Sequence, residues 1–148
     1  MSELRELYQQ VILDHNRKPR NFRTLEGANR RAEGVNPLCG DRITLSLNVE
    51  DGVIKDAAFQ GSGCAISRAA ASMLTGSVID RPEEDADALF QRVHAMLTGE
   101  ASGDVGDLGK LAVFAGVREF PSRVKCVTLA WHTLKAALAG TAAPVSTE

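Results

Sequence analysis

Ile43, Leu45, Leu47 and Val49 alternate with Thr44, Ser46 and Asn48, and Asp51-Gly52 separates this run from a second one over residues 53–60. Successive side chains of a strand point to opposite faces, so a period of two builds a sheet with one apolar face. An Asp-Gly pair between two such runs suits the tight turn of a hairpin. A β-hairpin is therefore expected over residues 43–60, and its apolar face has to be covered by the rest of the chain.

The remaining sequence offers helices to cover it. Leu4, Leu7, Tyr8, Val11 and Ile12 recur at helical spacing within residues 3–15, behind Ser2 as an N-cap, and the pattern stops at residues 16–19. Small residues over 65–73 continue as a helix directly after Gly61-Ser62-Gly63-Cys64. Pro82, Glu83, Glu84 and Asp85 suit the first turn of a helix running to about Leu97, the acidic start complementing the helix dipole. Val127, Ala130, Trp131, Leu134 and Leu138 are helically spaced within residues 124–138, after Pro121-Ser122. The stretch 20–34 reads as a polar connection, 99–109 as a flexible one, and Leu108, Leu111, Val113, Phe114 and Val117 as a short helical segment. The tail from about residue 140 is expected to be disordered, and no internal repeat is present. Strands early and helices late predict an α+β fold, with a small antiparallel β-sheet packed on one face by helices and residues 1–148 forming a single domain.

Charge excludes some functions. With 17 basic and 19 acidic residues the formal net charge is -2, and no basic tract beyond Arg17, Lys18 and Arg20 offers a footprint for nucleic acid. The N-terminus is charged and no stretch approaches the ~20 apolar residues of a membrane span. A cytoplasmic protein with no nucleic-acid or membrane partner is expected. An odd number of cysteines, three, argues against a disulfide framework and for reduced thiols.

Cys39, Cys64 and Cys126 show none of the short C-x-x-C metal spacings. Their contexts are more telling. Each is expected at a loop edge or helix start, where backbone N–H groups and the helix dipole favour a thiolate. Free cysteine also serves as a small hydrophobe, an alternative that stays open for Cys64 and Cys126. Cys39, hemmed by Pro37, Gly40 and Asp41, has little around it to pack against, and Asp41 adds a carboxylate within reach of the same ion. His132 follows Cys126 by six residues, about 600° around a helix, so it does not share the face of that thiol. His94 and His15 read as surface and packing residues.

Asn36-Pro37-Leu38-Cys39-Gly40-Asp41 and Gly61-Ser62-Gly63-Cys64-Ala65-Ile66-Ser67 resemble the two signature segments of the IscU/NifU-type iron-sulfur cluster assembly proteins, and Ile12-Leu13-Asp14-His15 with Pro19-Arg20-Asn21 resembles their N-terminus. The resemblance spans residues 7–138. It implies an IscU/SufE-like sandwich and assigns Cys39, Asp41, Cys64 and Cys126 as ligands of a metal or cluster. Two features depart from the scaffold-type members. Lys125 stands where they carry a His before the third ligand cysteine, and Phe120-Pro121-Ser122-Arg123-Val124-Lys125 replaces their chaperone-recognition stretch; residues 99–117 are an extra segment. Both features resemble the SufU branch.

That branch implies a zinc-dependent sulfurtransferase that accepts persulfide sulfur on Cys39 from a PLP-dependent, SufS-type cysteine desulfurase, a His of the partner taking the place of Cys39 on zinc, and passes it to downstream iron-sulfur assembly components. Three thiolates and one carboxylate suit Zn²⁺. Cys39, on its Pro/Gly turn, is the ligand expected to leave. Arg123 and Lys125 flank Cys126 and bring positive charge towards the thiols, or are ordinary solvated helix charges. The alternative within the family is a scaffold on which a [2Fe-2S] cluster is assembled and handed to acceptors. A purely structural zinc module is the reading from another class, and no His is placed to serve as base for a cysteine hydrolase.

Overall fold

Asp51 and Gly52 both take positive φ, 53° and 76°, in the computed structural model of the chain. A two-residue type I′ turn requires positive φ at both positions, and its twist matches that of the strands it joins. The structure describes residues 2–37, 40–98, 111, 114, 121–140 and 145–146. The turn joins β2 (Asp41–Glu50) to β3 (Val53–Ser62), so the expected hairpin is present and longer at both ends. Ile43, Leu45, Leu47 and Val49 are all buried, while Arg42 and Glu50 are exposed and Thr44 and Asn48 half-buried. The period of two in the sequence is thus an inside and an outside, except at Ser46, which is buried as well.

β1 (Arg30–Asn36) pairs antiparallel with β2 over its whole length, from Arg30 opposite Leu47 to Asn36 opposite Asp41. Sequence reading placed a polar connection here, and the structure corrects it. The inward positions of β1 are Ala32, Gly34 and Asn36, which are small or polar, and the outward ones include Arg31 and Glu33. A strand with no large apolar side chain on its buried face has no hydrophobic alternation to read. The small residues serve a close approach: a Cβ at Gly34 would lie 2.0 Å from Thr133 Oγ1 and 3.0 Å from Leu129 Cδ1 of the last helix.

The sheet order is β4-β3-β2-β1-β5. β4 (Arg81–Pro82) adds antiparallel beside Val53 and Ile54, and β5 (Val145–Ser146) lies parallel to β1 beside Gly34 and Val35. Pro82, expected in the first turn of a helix, instead ends this edge strand, where its missing N–H costs no ladder bond. Residues 145–146 fall within the tail expected to be disordered, whose other residues from 141 onward lie outside the described residues.

Among the described residues four helices complete the α+β fold: α1 (Ser2–Arg17), α2 (Ala65–Val78), α3 (Glu83–Thr98) and α4 (Pro121–Ala139). α2 and α4 lie on the sheet, α1 on α2 and α3 on α4. Leu45, Leu47, Ile54, Ala57 and Phe59 of the sheet join Ala70 and Leu74 of α2 and Val127, Leu129, Ala130 and Leu134 of α4 in one buried cluster. Full burial of each Leu or Val contributes about 1.5–3 kcal/mol. Phe90 of α3 stacks on Trp131 of α4 with ring centroids 6.1 Å apart. Of the connection expected over 99–109 and the short helical segment after it, only Leu111 and Phe114 are described, and both are buried. Among the described residues no helix is long and apolar enough to cross a membrane.

Candidate metal centre

Asp41, Cys64 and Cys126 come from three elements, and a carboxylate oxygen and the two sulfurs lie within 4.8 Å of one another. Among the described residues this is the one cluster of three or more such side chains so placed. Each element delivers its donor for a definite reason.

Asp41 opens β2 and is 1 % exposed. Its Oδ1 accepts the Cys64 N–H at 2.8 Å. That bond is possible because Gly63 has no side chain: a Cβ there would stand 2.4 Å from Oδ1. Cys64 is the N-cap of α2, with extended backbone (φ -71°, ψ 166°), and its sulfur accepts the Ser67 N–H at 3.4 Å. The Cys64 sulfur thus stands at the start of a helix, where the sequence context placed it. The Cys64 sulfur lies 3.9 Å from Asp41 Oδ2.

Cys126 arrives differently. It sits in the second turn of α4, fully buried, and reaches the cluster because α4 packs across β1 and β2 at Gly34. Asn36, also fully buried, donates from Nδ2 to Asp41 Oδ2 at 3.4 Å and to Cys126 Sγ at 3.8 Å. Asn36 Oδ1 and Ser67 Oγ are buried without a hydrogen-bond partner.

Two thiols and a carboxylate are a borderline-soft donor set, suited to zinc and foreign to the all-oxygen sites of magnesium and calcium. The residues present therefore fit a zinc ion.

Residues 7–127 match the family described as NifU-like N terminal domain. The chain belongs to the NifU-like N terminal domain family. This NifU-like chain is 40% identical to the iron-sulfur cluster assembly scaffold protein IscU of Streptococcus pyogenes serotype M1, over 93% of this chain and 86% of that one. It is 38% identical to the zinc-dependent sulfurtransferase SufU of Bacillus subtilis (strain 168), over 93% of each chain. Its fold matches the crystal structure of a putative iron-sulfur cluster assembly scaffold protein for the SUF system from Fervidobacterium islandicum AW-1, with a TM-score of 0.82 and 32% identity over 87% of this chain and 94% of that one. The family resemblance carried by the two cysteine segments is thus established over nearly the whole chain.

In this NifU-like chain the fourth expected ligand, Cys39, lies outside the described residues. The Gly40 N–H donates to the Asn36 carbonyl at 2.9 Å, and Pro37 and Gly40 are exposed. Arg123 is exposed and Lys125 half-buried on α4. His15 is buried and its Nδ1 lies 2.7 Å from Ser72 Oγ, which ties α1 to α2. His94 and His132 pack edge-on to Phe90, and burial first, then His94 and Lys135, hold the His132 pKa below its ordinary value.

Asn36, Gly63 and Ser67 support the cluster without having been singled out in sequence. Gly63 could have been found: a glycine directly before a helix-capping cysteine marks a place where another group approaches the backbone. Asn36 carries no such signal, because Asn before Pro reads as turn chemistry.

Proposed function

We propose that the protein works in iron-sulfur cluster assembly as a zinc-dependent sulfurtransferase, accepting persulfide sulfur on Cys39 from a PLP-dependent, SufS-type cysteine desulfurase in the cytoplasm. The observation that carries this reading is the convergence of Asp41, Cys64 and Cys126 within 4.8 Å in a NifU-like chain with a SufU relative. Cys39, Asp41, Cys64 and Cys126 would hold the ion. Zinc, when bound, keeps its cysteine ligands deprotonated.

The chain's own residues divide the work. Cys126 is fully buried and Cys64 is half-buried and committed to capping α2, so neither sulfur is presented to a partner. Cys39 falls in sequence between Pro37 and Gly40, both exposed. Its thiolate attacks the outer sulfur of the desulfurase persulfide. A new S–S bond forms at Cys39, the S–S bond of the donor breaks, and the donor cysteine leaves as a thiolate. No net oxidation or reduction accompanies the transfer. Asp41, held by the Cys64 N–H and Asn36, keeps the donor set assembled meanwhile.

A second reading, a scaffold on which a [2Fe-2S] cluster is assembled and passed on, is favoured by the IscU relative from Streptococcus pyogenes. Lys125 in the place of a ligand-adjacent His counts against it. The two readings part in one experiment: metal analysis of the purified protein together with desulfurase turnover, for wild type and Cys39→Ala. Zinc, with stimulation lost in Cys39→Ala, supports sulfur transfer. Full stimulation by Cys39→Ala refutes it, and an iron-sulfur cluster that survives purification and passes to an acceptor establishes the scaffold.

A further inference from the structure

Asn36 is the last residue of β1, and its side chain is entirely buried. Its backbone carbonyl accepts the Gly40 N–H at 2.9 Å. Its register partner across the sheet is Asp41. Its side-chain amide faces Asp41 Oδ2 at 3.4 Å and Cys126 Sγ at 3.8 Å. An ionised carboxylate and a thiolate only accept hydrogen bonds, so the amide has to present Nδ2 to them rather than Oδ1. Among the described residues Oδ1 has no partner, which is costly for a buried acceptor. A leucine has the same branching and the same number of heavy atoms and would not carry that cost, so packing alone does not account for an asparagine here.

What the amide supplies is a pair of N–H dipoles directed at two donors of the cluster. Three thiolates and a carboxylate around a divalent ion carry net negative charge, and N–H dipoles offset it without occupying a ligand position. Groups that hydrogen-bond to metal ligands fix ligand orientation and tune affinity.

We propose that Asn36 is a positioning residue of the metal centre: its side-chain amide holds the Asp41 carboxylate and the Cys126 thiolate in place while its backbone carbonyl holds the N–H of Gly40, next to Asp41. One strand end thereby ties together donors from β2 and α4. The inference rests on the zinc reading above and adds a residue that neither ligates nor reacts.

Zinc affinity measured by competition with a chromogenic chelator, and melting temperature with and without zinc, test it on wild type, Asn36→Ala and Asn36→Leu. Both variants are expected to bind zinc about 10–100-fold more weakly than wild type. The zinc-induced rise in melting temperature is expected to shrink in both, whatever their metal-free values; a merely structural role would lower the metal-free value and leave the rise intact. Asn36→Leu keeps the branching and heavy-atom count and opens no cavity, so with Asn36→Ala it separates loss of the donors from opening of a cavity. Wild-type protein that takes up no zinc overturns the metal reading and the inference with it. Wild-type protein that binds zinc, with both variants within about threefold of it, overturns the role of Asn36 alone. Should neither variant fold, the Asn36 side-chain amide resonances of isotope-labelled wild type decide: they shift and exchange more slowly on zinc addition, or, unmoved, refute the contact.

Discussion

Gly63→Ala puts a methyl group where the structure leaves room for none. A Cβ at this position would lie 2.4 Å from Asp41 Oδ1, 3.0 Å from its Cγ and 3.1 Å from its Cβ. The backbone of Gly63 is outside the left-handed region, so alanine is not strained by conformation and the clash itself decides the outcome. The carboxylate cannot yield cheaply, because Asp41 is 1 % exposed and its Oδ1 accepts the Cys64 N–H at 2.8 Å. Displacing it breaks that bond, and a hydrogen bond to a charged group contributes about 1.5–3 kcal/mol. If binding requires the native carboxylate position, the same energy comes off zinc binding, about 10- to 150-fold at 1.4 kcal/mol per decade. Chelator competition on the purified variant measures it, and the backbone amide resonance of Cys64 reports the broken bond directly. Gly76→Ala is the control, since a Cβ there meets nothing within 4 Å inside α2, and it should stabilise the fold by about 0.5–1 kcal/mol. A Gly63→Ala protein with wild-type zinc affinity and an unmoved Cys64 amide would refute the account of how Asp41 is held.

Gly34→Ala should lower stability by about 1–3 kcal/mol in chemical denaturation, because the methyl collides with Thr133 Oγ1 on α4. Adding Thr133→Ala should recover part of that loss; a double mutant no more stable than Gly34→Ala would show that α4 is not seated by this contact. His132 has its pKa lowered by burial, then by His94 and Lys135, so the folded state binds fewer protons than the unfolded one. Stability from this group is present above the unfolded histidine value of about 6.5 and is lost as pH falls through the lower folded value, and His132→Gln should flatten the stability profile between about pH 7 and 5. A profile equally steep in the variant would place the acid sensitivity elsewhere. Ser67→Ala removes a buried hydroxyl with no hydrogen-bond partner and should leave the melting temperature unchanged within about 2 °C, whereas a fall of several degrees would reveal a partner for it.

The hairpin was legible because Ile43, Leu45, Leu47 and Val49 spell its buried face and Asp51-Gly52 spells its turn. β1 was not, because Ala32, Gly34 and Asn36 are shaped to admit α4 rather than to fill a core. Cys64 announced itself through the glycine-rich junction before a helix. Cys126 did not: it is a buried helical residue whose approach to Asp41 depends on how α4 crosses the sheet, which local sequence does not encode. Its place among the expected ligands came from family likeness alone. Asn36 was hidden by its own proline, which made a buried hydrogen-bond donor look like an ordinary turn residue.

Asn36 and Cys126 are 90 residues apart in sequence and in contact in the fold. A chain growing from its N-terminus therefore completes β1, the hairpin and the Cys64 cap long before the last sulfur exists to join them. Until α4 has left the ribosome the set of donors lacks its last thiol, and an ion captured early would be held by an unfinished set of ligands. Tight loading then waits on the docking of α4, and shortening the chain before residue 126 should weaken metal binding however well the hairpin forms.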